Sequence, residues 1–198
     1  MTAVTPRRLY SYRPAAIDLT DEVVRAAKGG DNDAWDIVIR TFETGLKRFM
    51  RVRLGNGHDA EDALQQTYFK AVLGAAGQTG ENVASFRCWL YRIARNVAID
   101  NFRARARARA RLELRADFDD GVDLLAVAVE DGIIAREEGA AARRLLRQLS
   151  IEDQEVVALR VDIGLTSEQI GDIIGKKPGT VRQQLKRAFD AIGLRMDP

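Results

Sequence analysis

The sequence holds a single cysteine, Cys88, and a single histidine, His58. One thiol leaves no intrachain disulfide and no cysteine-cluster zinc site, and it fits a reducing compartment. One imidazole excludes catalysis by a histidine pair and any multi-histidine metal site. No stretch approaches the roughly 20 apolar residues that a membrane-spanning helix needs, so membrane insertion is not expected. Arg7, Arg8 and Arg13 are followed by no apolar segment, and no secretory signal is visible. Alternating β-branched runs are missing as well, as are internal repeats. What is present is charge: 30% of the 198 residues, over a 46% hydrophobic content sufficient for a packed core.

That charge is segregated. The net value is only +2, yet residues 1–115 carry 20 Lys/Arg against 13 Asp/Glu, residues 116–142 carry 1 against 8, and residues 143–198 carry 10 against 8. Positive blocks attract phosphate, and an acidic block between them would be repelled by it. Solvated helix faces account for many of these charges but not for their separation.

Residues 1–18 contain Pro6 and Pro14 and no periodicity, which marks an extension rather than a packed element. From Asp21 the apolar spacing becomes helical. Val23, Val24 and Ala27 form one stripe, and Trp35, Val38, Ile39, Phe42, Leu46, Phe49 and Met50 form another, broken near Gly29 and Gly30. Asp31 or Asp33 is suited to cap the second helix, and Gly55 to Gly57 stops it near Leu54. A third helix spans about 59–74, with Ala60, Ala63, Leu64, Thr67 and Ala71 on one face and Asp62, Gln65, Gln66 and Phe69 on the other. Residues 74–85, with three glycines, read as a loop. A fourth helix starts at about Ser85, a suitable cap, and buries Phe86, Leu90, Ile93, Ala94 and Val97. It continues through the Arg-Ala alternation of 103–111, because alanine favours helix over strand. Residues 116–135 form an acidic linker, and four short helices follow at about 136–149, 152–162, 167–174 and 178–193. The expected fold is all-α: two helical domains, 19–115 and 136–198, joined by the linker 116–135.

Two segments carry chemistry. Ile170, Ile173 and Ile174 mark a short helix ended by Gly175. Pro178 opens the next, which buries Val181, Leu185, Ala188 and Ile192 and turns Arg182, Gln183, Lys186 and Arg187 outward. This is a helix-turn-helix pattern, whose second helix fits the major groove. There Arg and Lys read guanine, Gln reads adenine, and other side chains grip phosphate. On the Ser85–Arg103 helix, Trp89, Arg92, Asn96, Asp100 and Arg103 share one side. An aromatic ring that stacks on an unpaired base beside cations that hold its backbone suits partly opened DNA. His58, Asp59, Glu61 and Asp62 form the one cluster that could suggest an enzyme. Carboxylates at a helix start compensate the helix dipole, so no catalytic residue, metal or cofactor is assigned.

With both segments in view, the chain resembles the bacterial RNA polymerase sigma factors of the sigma-70 family, in their extracytoplasmic-function group. Three stretches carry the resemblance: Asp59 to Val72, Phe86 to Arg103, and Leu149 to Ala188 with its Gly179-Thr-Val-Arg and Lys186-Arg-Ala motifs. The resemblance implies a cytoplasmic, non-enzymatic subunit that binds polymerase core and directs promoter-specific initiation. Asp62, Gln65, Gln66, Phe69 and Lys70 would meet the β′ clamp helices, and the C-terminal domain would meet the β flap. Trp89, Arg92, Asn96, Asp100 and Arg103 would engage the minus-10 element, with the 74–85 loop holding a flipped base. Thr180, Arg182, Gln183, Lys186 and Arg187 would read the minus-35 element. The acidic linker would thread through a basic polymerase channel, and an anti-sigma factor is a further expected partner. Departures from the family pattern are Gln66 in place of a glutamate, Lys177 in place of a capping serine, and Gln183-Gln184 in place of a serine-arginine pair. The other class considered is a stand-alone helix-turn-helix regulator, which would bind DNA without polymerase.

Overall fold

The computed structural model describes residues 19–55, 57–112, 146 and 148–192. The 1–18 extension, the 116–135 linker, most of the expected 136–149 helix and the last residues lie outside them. The described residues form seven α-helices and no strand.

Helix α1 (Asp21–Lys28) begins where Thr20 accepts the Val23 amide at 3.3 Å, satisfying one of the free amides of a helix start. Helix α2 (Asn32–Leu54) is capped by Asp31, whose Oδ1 accepts the Ala34 amide at 2.9 Å; of the two candidate caps it is Asp31 that serves. Gly55, at φ 81°, ends α2 in backbone space that other residues avoid. Helix α3 (Gly57–Gly74) follows, then a single 3₁₀ turn, Ala75–Gly77. Helix α4 (Val83–Leu112) is the longest, at 30 residues. Its cap corrects the expectation for Ser85. Asn82 Oδ1 accepts the Ser85 amide at 2.8 Å, and Asp21 Oδ1, from α1, accepts the Val83 amide at 2.8 Å. The helix therefore starts two residues earlier than expected, with one cap supplied from 62 residues away.

Helices α1 to α4 enclose an aromatic-rich core. Phe86 lies 6.1 Å from Trp35 and 6.4 Å from Phe42 between ring centroids, and Phe49 meets Tyr91 edge-on at 5.7 Å. Each such fully buried large side chain contributes about 1.5–3 kcal/mol of transfer free energy. The Arg-Ala alternation is helical, and the helix divides its arginines. Arg105 turns inward, pairing with Asp59 and donating to the Leu54 carbonyl at 3.1 Å, which ties the far end of α4 to the α2–α3 junction. Arg103 and Arg107 remain outside.

Helices α5 (Ile151–Val161), α6 (Ser167–Ile174) and α7 (Pro178–Ala191) surround a second group of buried side chains: Val156, Leu159, Leu165, Ile170, Val181 and Leu185. Thr166 and Gln169 form a capping box at the start of α6. Gly175 closes α6 in the left-handed region at φ 73°. Gly171 is required by close approach, since a Cβ there would stand 2.5 Å from the Lys176 carbonyl oxygen. Pro178 opens α7 with no side-chain cap from Lys177, as the sequence leads one to expect. The two helical groups touch, α5 lying along α2 and α6 along α4.

Candidate nucleic-acid interface

Helix α4 presents the mixed face anticipated from its spacing. Arg92, Asn96, Asp100 and Arg103 are exposed. Trp89 takes an intermediate position: it is half-buried, with its ring 5.2 Å from that of Phe86. The ring is thus fixed on one side by the core and open on the other, the arrangement a stacking platform needs. Next to it the 78–82 segment is held at its middle and where it enters α4. Lys28 Nζ donates to the Gly80 carbonyl at 3.2 Å, and the Val83 and Ser85 amides are held by Asp21 and Asn82. Between this segment and α4 lies a cavity of about 610 Å³, lined by Gln78, Asn82, Trp89 and Arg92 and, from α6, by Gln169 and Asp172. Cys88 lines it too, half-buried rather than in the core, and burial raises its thiol pKa.

Helix α3 exposes Asp62, Gln65, Gln66, Phe69 and Lys70 on a single side. Phe69 is 67% exposed, far beyond a partly shielded surface aromatic, and Leu73 is exposed to 70% on the same side. Phe69 and Leu73 thus form an exposed apolar patch on this side of α3. Leu73 was not anticipated; its spacing of four from Phe69 is the signal that identifies it. Two contacts join this side to the α4 face. Asn101 Nδ2 donates to Gln66 Oε1 at 3.2 Å, and Lys70 Nζ lies 3.8 Å from Asp100. The two candidate surfaces are therefore contiguous.

On α7, Thr180, Arg182, Gln183, Lys186 and Arg187 are all exposed. Arg182 Nη1 donates to Glu168 Oε1 on α6 at 3.0 Å, which orients the guanidinium across the mouth of the helix pair. Gln184 differs from its neighbour Gln183. It is buried, accepts from Lys176 Nζ at 2.9 Å and donates to Asp153 Oδ1 at 2.9 Å. Gln184 is a strut between the turn, α5 and α7, and only Gln183 of the pair faces outward. Among the described residues no His, Cys, Asp and Glu cluster is placed to hold a metal, His58 and its neighbours included. No described helix is long and apolar enough to cross a membrane.

Residues 38–108 match the family model of sigma-70 region 2, and residues 140–192 match that of sigma-70 region 4. The chain is 25% identical over 175 residues to the ECF RNA polymerase sigma factor SigW of Bacillus subtilis, covering 85% of this chain and 92% of that protein. It is 27% identical over 186 residues to the ECF RNA polymerase sigma-E factor of Escherichia coli, covering 91% and 96%. In fold it is similar to CnrH in complex with the cytosolic domain of CnrY, with a TM-score of 0.63, 20% identity, and coverage of 87% of this chain and 94% of that one. It is also similar to the sigma factor RpoE in complex with the anti-sigma factor NepR from Bartonella quintana, with a TM-score of 0.60, 21% identity, and coverage of 79% and 94%. The chain belongs to the sigma-70 family of RNA polymerase sigma factors, in its extracytoplasmic-function group. It directs transcription initiation, and the reading as a stand-alone regulator gives way to that function.

Proposed function

We propose that this sigma factor divides its labour by helix, as a cytoplasmic, non-enzymatic subunit with two DNA-contacting ends. The side of α3 that carries Asp62, Gln65, Gln66, Phe69 and Lys70 docks on the β′ clamp helices of polymerase core. The face of α4 that carries Trp89, Arg92, Asn96, Asp100 and Arg103 takes the minus-10 element, with the anchored 78–82 segment beside the stacking ring. Helix α7 takes the minus-35 element as duplex through Thr180, Arg182, Gln183, Lys186 and Arg187, close to the β flap. The domains 19–115 and 136–198 carry these roles, and the acidic segment 116–135 runs between them through the enzyme. An anti-sigma factor, as in the complexes of the similar structures, is a further partner.

One observation carries this reading: the exposed apolar side of α3 is continuous with the aromatic and cationic face of α4. A subunit that must deliver single-stranded DNA at a polymerase surface needs those two faces adjacent, and the Lys70–Asp100 and Asn101–Gln66 contacts support that arrangement. Promoter opening by reconstituted holoenzyme, followed with a fluorescent base analogue in the minus-10 element, tests it. Trp89→Ala should lose about 1–3 kcal/mol of open-complex stability, the range for one base–aromatic stack, while core binding is retained. Unchanged opening would remove Trp89 from the DNA face.

A further inference from the structure

The cations of α7 are not equivalent. Lys186 and Arg187 join no carboxylate among the described residues, whereas Arg182 Nη1 donates to Glu168 Oε1 on α6 at 3.0 Å. The side chains of that pair are 60% and 61% exposed. An exposed ion pair adds little to stability, so its effect lies in geometry and charge. Glu168 is itself held. It stands in the first turn of α6, and hydrogen bonds from its own backbone amide and the Thr166 hydroxyl, with a further pull from Arg182, hold its carboxyl below the ordinary value. Thr166 is fixed in turn by its capping box with Gln169. The approach of α6 to α7 is fixed too: Gly171 abuts the Lys176 carbonyl, and Gln184 ties Lys176 to Asp153. Glu168 is therefore a stationary, ionised acceptor, and the long Arg182 side chain is the partner that settles on it.

That arrangement decides what Arg182 can do on DNA. A guanidinium carries five N–H donors in a rigid fork, and Glu168 engages only Nη1. The donors left over suffice for the paired acceptors O6 and N7 of guanine. A guanidinium beside a carboxylate offers a phosphate little net charge, and the carboxylate repels it. Lys186 and Arg187, exposed and without such a neighbour, suit phosphate better. An arginine already held in one conformation also loses less side-chain entropy on meeting a base. We propose that Glu168 is the positioning residue that makes Arg182 a base reader rather than a phosphate grip, by holding its guanidinium in the reading orientation and cancelling its charge. Glu168 touches no DNA in this scheme and sets minus-35 selectivity through Arg182. The inference rests on the assignment of α7 to the minus-35 element.

The test reads holoenzyme binding across a library randomised in the minus-35 element, with Glu168→Ala, Arg182→Ala and the double variant set against wild type. Arg182→Ala should lose about tenfold of the preference for guanine at one position, within the range of a paired base contact. Glu168→Ala should lose about three- to tenfold of that preference, at that position and nowhere else. In the Arg182→Ala background, Glu168→Ala should change nothing further, because the side chain through which it acts is gone. A merely structural role would weaken every library member in both backgrounds. Charge supplies a second readout. Glu168→Ala frees Arg182 for phosphate, so the slope of log affinity against log salt should steepen by up to about 0.9, the value of one phosphate contact. The double variant should return to the wild-type slope.

Glu168→Gln serves where alanine disturbs the start of α6. It keeps an acceptor oxygen in the same place without the charge, so it should retain more of the guanine preference than Glu168→Ala and still steepen the salt slope. Unchanged base preference in Glu168→Ala, beside a clear loss in Arg182→Ala, overturns the inference and leaves α7 on the minus-35 element. A change of preference by Glu168→Ala that persists in the Arg182→Ala background also overturns it, since Glu168 would then meet the DNA itself. So does a salt slope that neither Glu168 variant moves. No loss of preference from Arg182→Ala would remove Arg182 from base reading, and the inference with it.

Discussion

Two adjacent glutamines, Gln183 and Gln184, should behave as different kinds of residue. Gln184→Ala removes a buried side chain that holds two hydrogen bonds of 2.9 Å, one to the Lys176 ammonium and one to the Asp153 carboxylate. Hydrogen bonds to charged groups contribute about 1.5–3 kcal/mol each. Lys176 is exposed and Asp153 half-buried, so water recovers part of each loss. A net destabilisation of about 2 kcal/mol follows, or a fall of about 4–8 °C in Tm. Gln183 is exposed and makes no such link, so Gln183→Ala should leave Tm within about 1–2 °C of wild type. The functional consequences run the other way. Transcription from a library randomised across the minus-35 element reads base preference directly. Gln184→Ala should weaken all members in proportion and keep their ranking, because a tilted recognition helix loses phosphate and base contacts together. Gln183→Ala should flatten preference at one position by about 1–3 kcal/mol at most. If Gln184→Ala changes base preference while Tm is unchanged, the strut reasoning is wrong.

Phe69→Ala, at a 67% exposed position, should leave stability within about 0.5 kcal/mol. It should weaken polymerase core binding about 10- to 100-fold, the affinity equivalent of one buried phenylalanine, as titrated with labelled protein; unchanged affinity would move the docking face elsewhere. Arg182→Ala should cost about 1–3 kcal/mol at one minus-35 position if the guanidinium makes a paired base contact. An equal loss on every upstream sequence, in binding by holoenzyme, would reduce Arg182 to a phosphate contact.

Helix positions and buried stripes were legible because apolar spacing and caps are local properties. Asp31, Gly55, Gly175 and Pro178 each act within a turn of where they stand, and the boundaries they predict hold. The Arg-Ala run was readable as helix from alanine content, but the inward turn of Arg105 was not, since its partners Asp59 and Leu54 are set by the crossing of α2, α3 and α4. Ser85 was misread as the cap although the signal was local: Asn82, three residues earlier, takes that role on the Ser85 amide, and only the second acceptor, Asp21 at Val83, arrives from another helix. The contrast between Gln183 and Gln184 follows from helix phase, one residue rotating the side chain from solvent into the seam against α5. Least legible was Glu155. Its partners, Arg53 and Arg95, lie 102 and 60 residues away, and nothing in the local pattern of α5 distinguishes it from a solvated glutamate.

The direct test of the account is run-off transcription with purified polymerase core of the same host on a genomic library, with start sites read by sequencing. The account predicts initiation at a limited set of sites that share paired upstream elements, dependent on this protein and lost with Trp89→Ala. Initiation no more selective than that of core polymerase by itself would contradict it.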